Sequence, residues 1–261
     1  PDSLPAKIGS GIPTDGTDIF YPDPWQGGES HFRDAVEYML TGSMAVLDLA
    51  AERKNQFLYN IYKMGSDAIK AGNSGNPYAY IIPEEQWDEG VTLELVNTLM
   101  QGGIEVHQEK NTFEADGKKY LAGTYVIKAG QAFRPFLMDM MEPQNYPTRL
   151  QYPGGPPDPP YDLAGWTLPM QMGVTVDRVN DSFEFEGNQL QEHVQNKPGR
   201  ISGEADFGYV LSHKPNSGAR IVNQLLEDGE KVYWTKSSFN SNENEFGPGS
   251  IVIKSKSGTS D

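Results

Sequence analysis

The sequence predicts an α/β protein with an open, mainly parallel sheet, helices on both faces of that sheet, and a long helix before it. Two segments carry this prediction, because each reads as an apolar strand, an amphipathic helix, a glycine and a second strand. The first comprises 78–82, 84–101 and 104–107, and the second comprises 208–212, 217–228 and 231–234. A strand, a helix and a strand within about 30 residues predict parallel strands with a right-handed crossover. The matching order of the two segments favours a single sheet.

The long helix is predicted by apolar residues that recur at three- and four-residue steps after an N-cap at Ser30. Unbroken, it would be about 60 Å long at roughly 1.5 Å per residue, and Gly42 or the polar stretch 52–55 could divide it. Gly72 and the residues up to Pro77 end it and form the best linker candidate. We therefore expect two parts, an irregular and then helical segment 1–72 and a domain 78–261.

The middle of the chain predicts further elements and one long loop. A turn signal at 115–118 predicts a polar hairpin, and the segments that follow predict a strand at 123–127 and an apolar helix at 133–141. The run 143–160 contains six prolines, which lack the N–H that a helix or an inner strand needs. Ordered loops of this length often carry function.

Composition excludes several classes of partner and chemistry. The chain of 261 residues has a formal net charge of −15 and no cysteine. The negative charge argues against nucleic acid and against anionic membrane surfaces, which attract lysine and arginine clusters. The lack of cysteine excludes disulfides, thiolate zinc ligands and cysteine nucleophiles. No apolar stretch approaches the roughly 20 residues needed to span a bilayer.

The sequence contains none of the common catalytic or metal-binding motifs. The four histidines do not stand in H-x-x-E or H-E-x-x-H, the spacings that place zinc ligands on one face of a helix. The glycine pairs do not form a nucleotide-binding loop, and Ser212 and Ser217 lack the context of a nucleophile elbow. We therefore expect no catalytic residue and no metal ligand in this chain.

Five residues are candidates for binding a ligand. In a parallel sheet Glu84, Gln131, Arg134 and His213 would all follow the carboxyl ends of strands, where such sheets bind ligands. Gln131 and Arg134 could hold a carboxylate, since arginine binds that group through two hydrogen bonds. The alternative is helix capping and strand-to-helix packing, and for Glu84 a favourable position in the first turn of a helix. Trp166 could form part of a substrate platform, although packing within the proline-rich loop is the commoner explanation.

Several strings resemble a known group of proteins. They are 25–28 (WQGG), 125–136 (YVIKAGQAFRPF), 141–144 (MEPQ), 152–156 (YPGGP) and 160–173 (PYDLAGWTLPMQMG). Together they resemble the region downstream of the catalytic domain in large bacterial zinc carboxypeptidase-like proteins. That region is similar to class I glutamine amidotransferases, which implies an amidotransferase- or flavodoxin-like fold for residues 78–261, cut at its carboxyl end. Residues 1–72 would then be the tail of the peptidase region.

The resemblance implies peptide hydrolysis for a larger parent protein and an accessory role for this chain. The family's zinc site, an H-x-x-E with a later histidine, would lie before residue 1, and the amidotransferase cysteine is missing. We therefore expect a non-catalytic accessory or binding module of a periplasmic or secreted protein, with its own peptidase domain as partner and zinc only in that domain. The alternative is a stand-alone hydrolase or carboxylate-binding protein. The sequence leaves the oligomeric state open.

Overall fold

A computed structural model describes residues 5–8, 12–14, 16–17, 22–25, 28–144, 147–158, 167–201, 205, 207–241 and 244–255. By internal contacts the chain divides into two units, residues 1–62 and 63–261.

The first unit contains a small two-stranded sheet and the larger part of a long helical segment, which continues past residue 62 into the second unit. Strands β1 (Lys7–Ile8) and β2 (Ile12–Pro13) pair antiparallel. Helix α1 (Phe32–Glu52) is followed after one residue by α2 (Lys54–Ser74). The break falls at Arg53, within the polar stretch predicted to divide the helix, and backbone hydrogen bonds of helical spacing continue on both sides of it. No side chain of α1, all of which lies in the described part of the chain, is buried.

The second unit is built on a five-stranded sheet. Its elements, in chain order, are β3 (Ala79–Ile82), α3 (Glu89–Gln101), β4 (His107–Gln108), β5 (Phe113–Ala115), β6 (Lys118–Tyr120), β7 (Tyr125–Lys128), α4 (Arg134–Met141), α5 (Leu168–Met172), β8 (Asp177–Val179) and β9 (Asn188–Gln189). The strand order is β8-β3-β7-β4-β9, and β5 and β6 form the predicted hairpin beside it.

The prediction of an open, mainly parallel sheet is wrong, and with it the amidotransferase- or flavodoxin-like fold. Every strand pairing among the described residues is antiparallel. Strands β3 and β4 do run in the same direction, as their crossover helix requires, because both are antiparallel to β7. They are not neighbours, since β7 lies between them. The unit is therefore a split β-α-β arrangement with an antiparallel strand inserted.

The two faces of this sheet are covered differently. Strand β3 is buried on both faces, so Tyr80 and Ile82 point to one core while Ala79 and Ile81 point to the other. The first core is closed by helices α3, α4 and α5. The second is closed by the β5–β6 hairpin and by an aromatic cluster that comprises Tyr78, Phe113, Phe183 and Phe185. The expectation of helices on both faces is thus also wrong.

A second, smaller sheet repeats the arrangement of the first. Its elements are β10 (Gly208–Leu211), α6 (Ser217–Glu227), β11 (Val232–Trp234), β12 (Phe239–Ser241), β13 (Asn244–Phe246) and β14 (Ile251–Lys254). The order β10-β14-β11 again places an antiparallel strand between the two strands that the helix joins, and β12 and β13 form the matching hairpin. The two predicted segments therefore do correspond, but each contributes its own sheet.

The correspondence extends to single residues at a constant offset, since Phe239 follows Phe113 by 126 positions. Within residues 113–128 the same offset relates five identical pairs, Phe113/Phe239, Gly123/Gly249, Val126/Val252, Ile127/Ile253 and Lys128/Lys254. Gly123 and Gly249 both have positive φ, +96° and +87°, and each donates a 2.8 Å backbone hydrogen bond to the carbonyl fourteen positions before it. Residues 78–128 and 207–254 are thus two copies of one structural unit.

Candidate ligand-binding site

The antiparallel sheet separates two groups of predicted site residues. Strand β3 pairs with β7 so that Ile82 faces Tyr125 and Ala79 faces Lys128. Glu84, two residues beyond Ile82, therefore lies at one end of the sheet, whereas residues 131–134 follow the other end. Four residues of extended strand separate these ends by about 13 Å, at roughly 3.3 Å per residue.

Gln131 is buried and makes three hydrogen bonds to the backbone. Its Oε1 accepts from the N–H of Glu105 at 2.9 Å, and its Nε2 donates to the carbonyls of Lys128 at 2.6 Å and Glu105 at 3.4 Å. The side chain thereby joins the end of β7 to the segment before β4. These three hydrogen bonds occupy the side-chain amide of Gln131 in contacts within the fold.

Arg134 is likewise engaged within the fold. One terminal nitrogen donates to the carbonyl of Asn76 at 2.9 Å, and the other contacts the sulfur of Met138 at 2.7 Å. Its buried Nε has no hydrogen-bond partner among the described residues. The guanidinium holds the loop before β3, so a carboxylate could reach it only by replacing these contacts.

Glu84 and Trp166 are two further candidate residues. The backbone N–H of Glu84 donates to the hydroxyl of Thr124 at 3.2 Å, and its side-chain methylene lies 3.0 Å from where a Cβ on Gly123 would stand. Trp166 lies outside the described residues.

His213 lies in a cavity at the junction of the two repeated units. The cavity has a volume of about 690 Å³, within the range of ligand pockets, which often form between domains. Its walls include Trp87, Ser212, His213, Lys214, Glu245 and Phe246. We call it the junction pocket.

Three side chains form an ordered group on one wall of the junction pocket. The rings of Trp87 and His213 meet edge to face, with centroids 6.0 Å apart and an interplanar angle of 75°. The ammonium of Lys214 lies 5.1 Å from the centroid of the Trp87 ring, in a cation–π contact. His213 Nδ1 is buried and has no hydrogen-bond partner among the described residues. The wall thus combines an aromatic surface with one positive charge that contacts it.

The group is positioned by the loops that precede two equivalent helices. Trp87 lies between β3 and α3, and His213 and Lys214 lie between β10 and α6. The loops are joined directly, since the N–H of Asn216 donates to Asp88 Oδ2 at 2.7 Å. Both loops follow the carboxyl end of a strand.

Of the five candidate residues, His213 lines the junction pocket, and its neighbours Trp87 and Lys214 were not among the candidates. The helix predicted at 84–101 includes position 87, but α3 begins only at Glu89. The aspartate at position 88, an N-cap residue whose Oδ1 accepts from the N–H groups of Gly90 and Val91, could have corrected that boundary.

A second polar cluster lies at a smaller cavity of about 240 Å³, lined by Tyr80 of β3 and by residues between 141 and 178. Glu142 Oε1 accepts from the hydroxyl of Tyr80 at 2.7 Å and from Arg178 Nε at 2.8 Å. Burial alone would raise the pKa of Glu142, but these two hydrogen bonds and the arginine charge hold that pKa below its usual range. Burial and the same hydrogen bond raise the pKa of Tyr80 far above its usual value. Thr167, which donates to the Glu142 carbonyl, has a φ of +61°, which is strained for a β-branched residue.

The described residues contain no group of three or more histidine, aspartate or glutamate side chains arranged to hold a metal ion. No helix in the same part of the chain is both long and apolar enough to cross a membrane.

Comparisons with known proteins identify no relative. No protein-family model matches the chain, and neither the curated proteins nor the solved structures contain a significant match.

Proposed function

We propose that this chain is a non-catalytic binding module and that the junction pocket holds a ligand through its carboxylate. The observation that carries the proposal is the ammonium of Lys214, in cation–π contact with Trp87 beside His213 on the wall of a ligand-sized cavity. A carboxylate gains most from a positive charge that is already held in place, because less side-chain freedom is lost on binding. The indole ring offers an apolar surface for the rest of the ligand.

The opposite charge of Glu245 favours a peptide as the ligand. Glu245 lines the same cavity. A carboxylate can accept hydrogen bonds from N–H groups, which a peptide carries next to its own carboxylate. A pocket with one cation and one anion therefore fits the carboxyl end of a peptide better than a simple anion.

The resemblance to zinc carboxypeptidase-like proteins supplies a context for such a ligand. In that context the chain is an accessory module of a periplasmic or secreted peptidase, whose zinc-containing domain lies upstream and is its partner. Peptide-bond hydrolysis creates a new carboxyl terminus at each cleavage. A module that binds carboxyl termini would hold substrates or products near the catalytic domain.

A pair of peptides that differ in one group tests the proposal. The chain is titrated by calorimetry with acetyl-Ala-Ala and with its carboxyl-terminal amide, and tryptophan fluorescence is recorded in parallel. We expect the free acid to bind, the amide to bind at least tenfold more weakly, and Lys214→Met to remove the difference.

Lys254→Met is the matched control. The ammonium of Lys254 lies 5.1 Å from the centroid of the Tyr233 ring, the same distance as in the Lys214–Trp87 pair, but away from the junction pocket. It should bind the free acid as the unchanged chain does. Equal binding of acid and amide, or equal loss in both variants, would overturn the proposal.

A further inference from the structure

Helices α1 and α2 carry an apolar stripe whose large side chains are exposed among the described residues. From Leu40 to Met64 the positions 40, 43, 47, 50, 54, 57, 61 and 64 alternate steps of three and four residues, the spacing of a coiled-coil seam. The stripe consists of Leu40, Ser43, Leu47, Ala50, Lys54, Phe57, Ile61 and Met64. Its five large apolar side chains are between 45% and 65% exposed.

The charges on the two helices have opposite signs. Helix α1 has one arginine against four carboxylates, and α2 with Arg53 has four basic residues against one carboxylate. The first half of the helical segment therefore has a net charge of −3 and the second half +3. A parallel pair of such segments would place like charges side by side, whereas an antiparallel pair places each half against its complement.

The stripe is also complementary to itself in the antiparallel direction. When two segments pair about a two-fold axis at position 52, Leu40 faces Met64, Ser43 faces Ile61, and Leu47 faces Phe57. Lys54 faces Ala50, and its long side chain can cover the small residue while its ammonium reaches the acidic α1 of the other copy. Each large apolar residue thus meets a residue of the stripe, which is the condition for an isologous interface.

We propose that two copies of this chain associate through α1 and α2 in an antiparallel pair. The occupant of the exposed stripe is therefore a second copy. This inference is independent of the ligand in the junction pocket, which lies in the second unit.

Sedimentation velocity over a range of concentrations is the first test. The chain should reach twice its mass of 28.9 kDa as the concentration rises. Leu47→Glu places a charge in the stripe and should raise the dissociation constant at least tenfold. Leu49→Glu is the matched control, because residue 49 lies about 200° around the helix from residue 47. Circular dichroism checks that both variants keep their helices, which is expected because α1 buries no residue.

Cysteine cross-linking tests the direction of the pair, because the chain has no cysteine of its own. Leu40→Cys and Met64→Cys are prepared separately and oxidised alone or mixed. A disulfide-linked dimer that forms efficiently only in the mixture supports the antiparallel pair. Efficient dimers of Leu40→Cys alone would show a parallel pair, and a chain that stays monomeric would leave the stripe to a different protein. Either result overturns the proposal, as does equal association of the Leu47→Glu and Leu49→Glu variants.

Discussion

Asp88 and Asn216 are the N-cap residues of the two repeated helices, and a 2.7 Å hydrogen bond joins them. Asp88 uses its two oxygens for different purposes. Oδ1 caps α3 by accepting from Gly90 and Val91, and Oδ2 accepts from the N–H of Asn216. One carboxylate therefore both begins a helix and connects the two repeated units.

Two substitutions of Asp88 separate these purposes. Asp88→Asn keeps a capping oxygen but replaces the oxygen that binds Asn216 with an N–H₂ group, so it should mainly disturb the junction. Asp88→Ala also removes the cap and should cost about 1 kcal/mol more in the free energy of unfolding. Urea denaturation measures both values, and Trp87 fluorescence reports the junction. Equal stability of the two variants would contradict the assignment of the cap to Asp88.

The Tyr80–Glu142–Arg178 cluster predicts a loss of stability in acid. Because the pKa of folded Glu142 lies below the reference value of 4.5, its contribution is complete above pH 4.5 and is lost as the pH falls through the folded pKa. Glu142→Gln should therefore be less stable than the unchanged chain at pH 7, by roughly 1–2 kcal/mol, and the difference should shrink below pH 4.5. Urea denaturation at several pH values measures it. Glu37→Gln, which removes an exposed pair with Arg33, should change little.

His107 predicts a second acid-sensitive range at higher pH. Burial lowers the pKa of His107 from 6.5, and Lys128 acts in the same direction, although Glu105 and Glu109 oppose them. A lowered pKa means that stability is complete above pH 6.5 and declines as the pH falls toward the folded value. Replacing the histidine by glutamine should flatten the curve of unfolding free energy between pH 7 and 5. The same substitution at the exposed His193 provides the control, and equal flattening there would contradict the prediction.

Gly72 predicts a steric requirement at the end of α2. A Cβ at this buried position would lie 2.1 Å from the carbonyl oxygen of Ala129 and 2.4 Å from the nitrogen of Gly130. Gly72→Ala should therefore lower the free energy of unfolding by about 3 kcal/mol, at the upper end for overpacking, because the obstacle is backbone. Gly42→Ala provides the contrast, since nothing lies within 4 Å of its Cβ, and it should increase the helicity of α1. Thermal denaturation and circular dichroism measure the two effects.

The sequence located most elements because they follow local patterns. The helix break, the hairpin at 113–120 and the helices near 134–141 and 217–227 all agree with predictions made from periodicity and turn residues. The pairing of strands failed because it depends on residues far apart in the chain. The order strand, helix, strand fixes only that β3 and β4 point the same way, and it says nothing about what lies between them.

The predicted grouping of candidate residues depended on the same strand pairing. Glu84 and Gln131 were grouped because parallel strands end at one edge of a sheet, whereas β3 and β7 end at opposite edges. His213 is a candidate because it follows a strand, a local feature that is independent of strand pairing, and it does lie just beyond β10. Its neighbour Trp87 comes from the other repeated unit, more than 120 residues away, so no local pattern could join them.

The central position of β14 determines when the second sheet can form during synthesis. Strands β10 and β11 each pair with β14 in that sheet, and β14 is the last of the three in the chain. A ribosome must therefore release residues 251–254 before either earlier strand finds its partner, although α6 can form sooner. Until then about 45 residues expose two unpaired strands, whose open edges favour pairing with other chains.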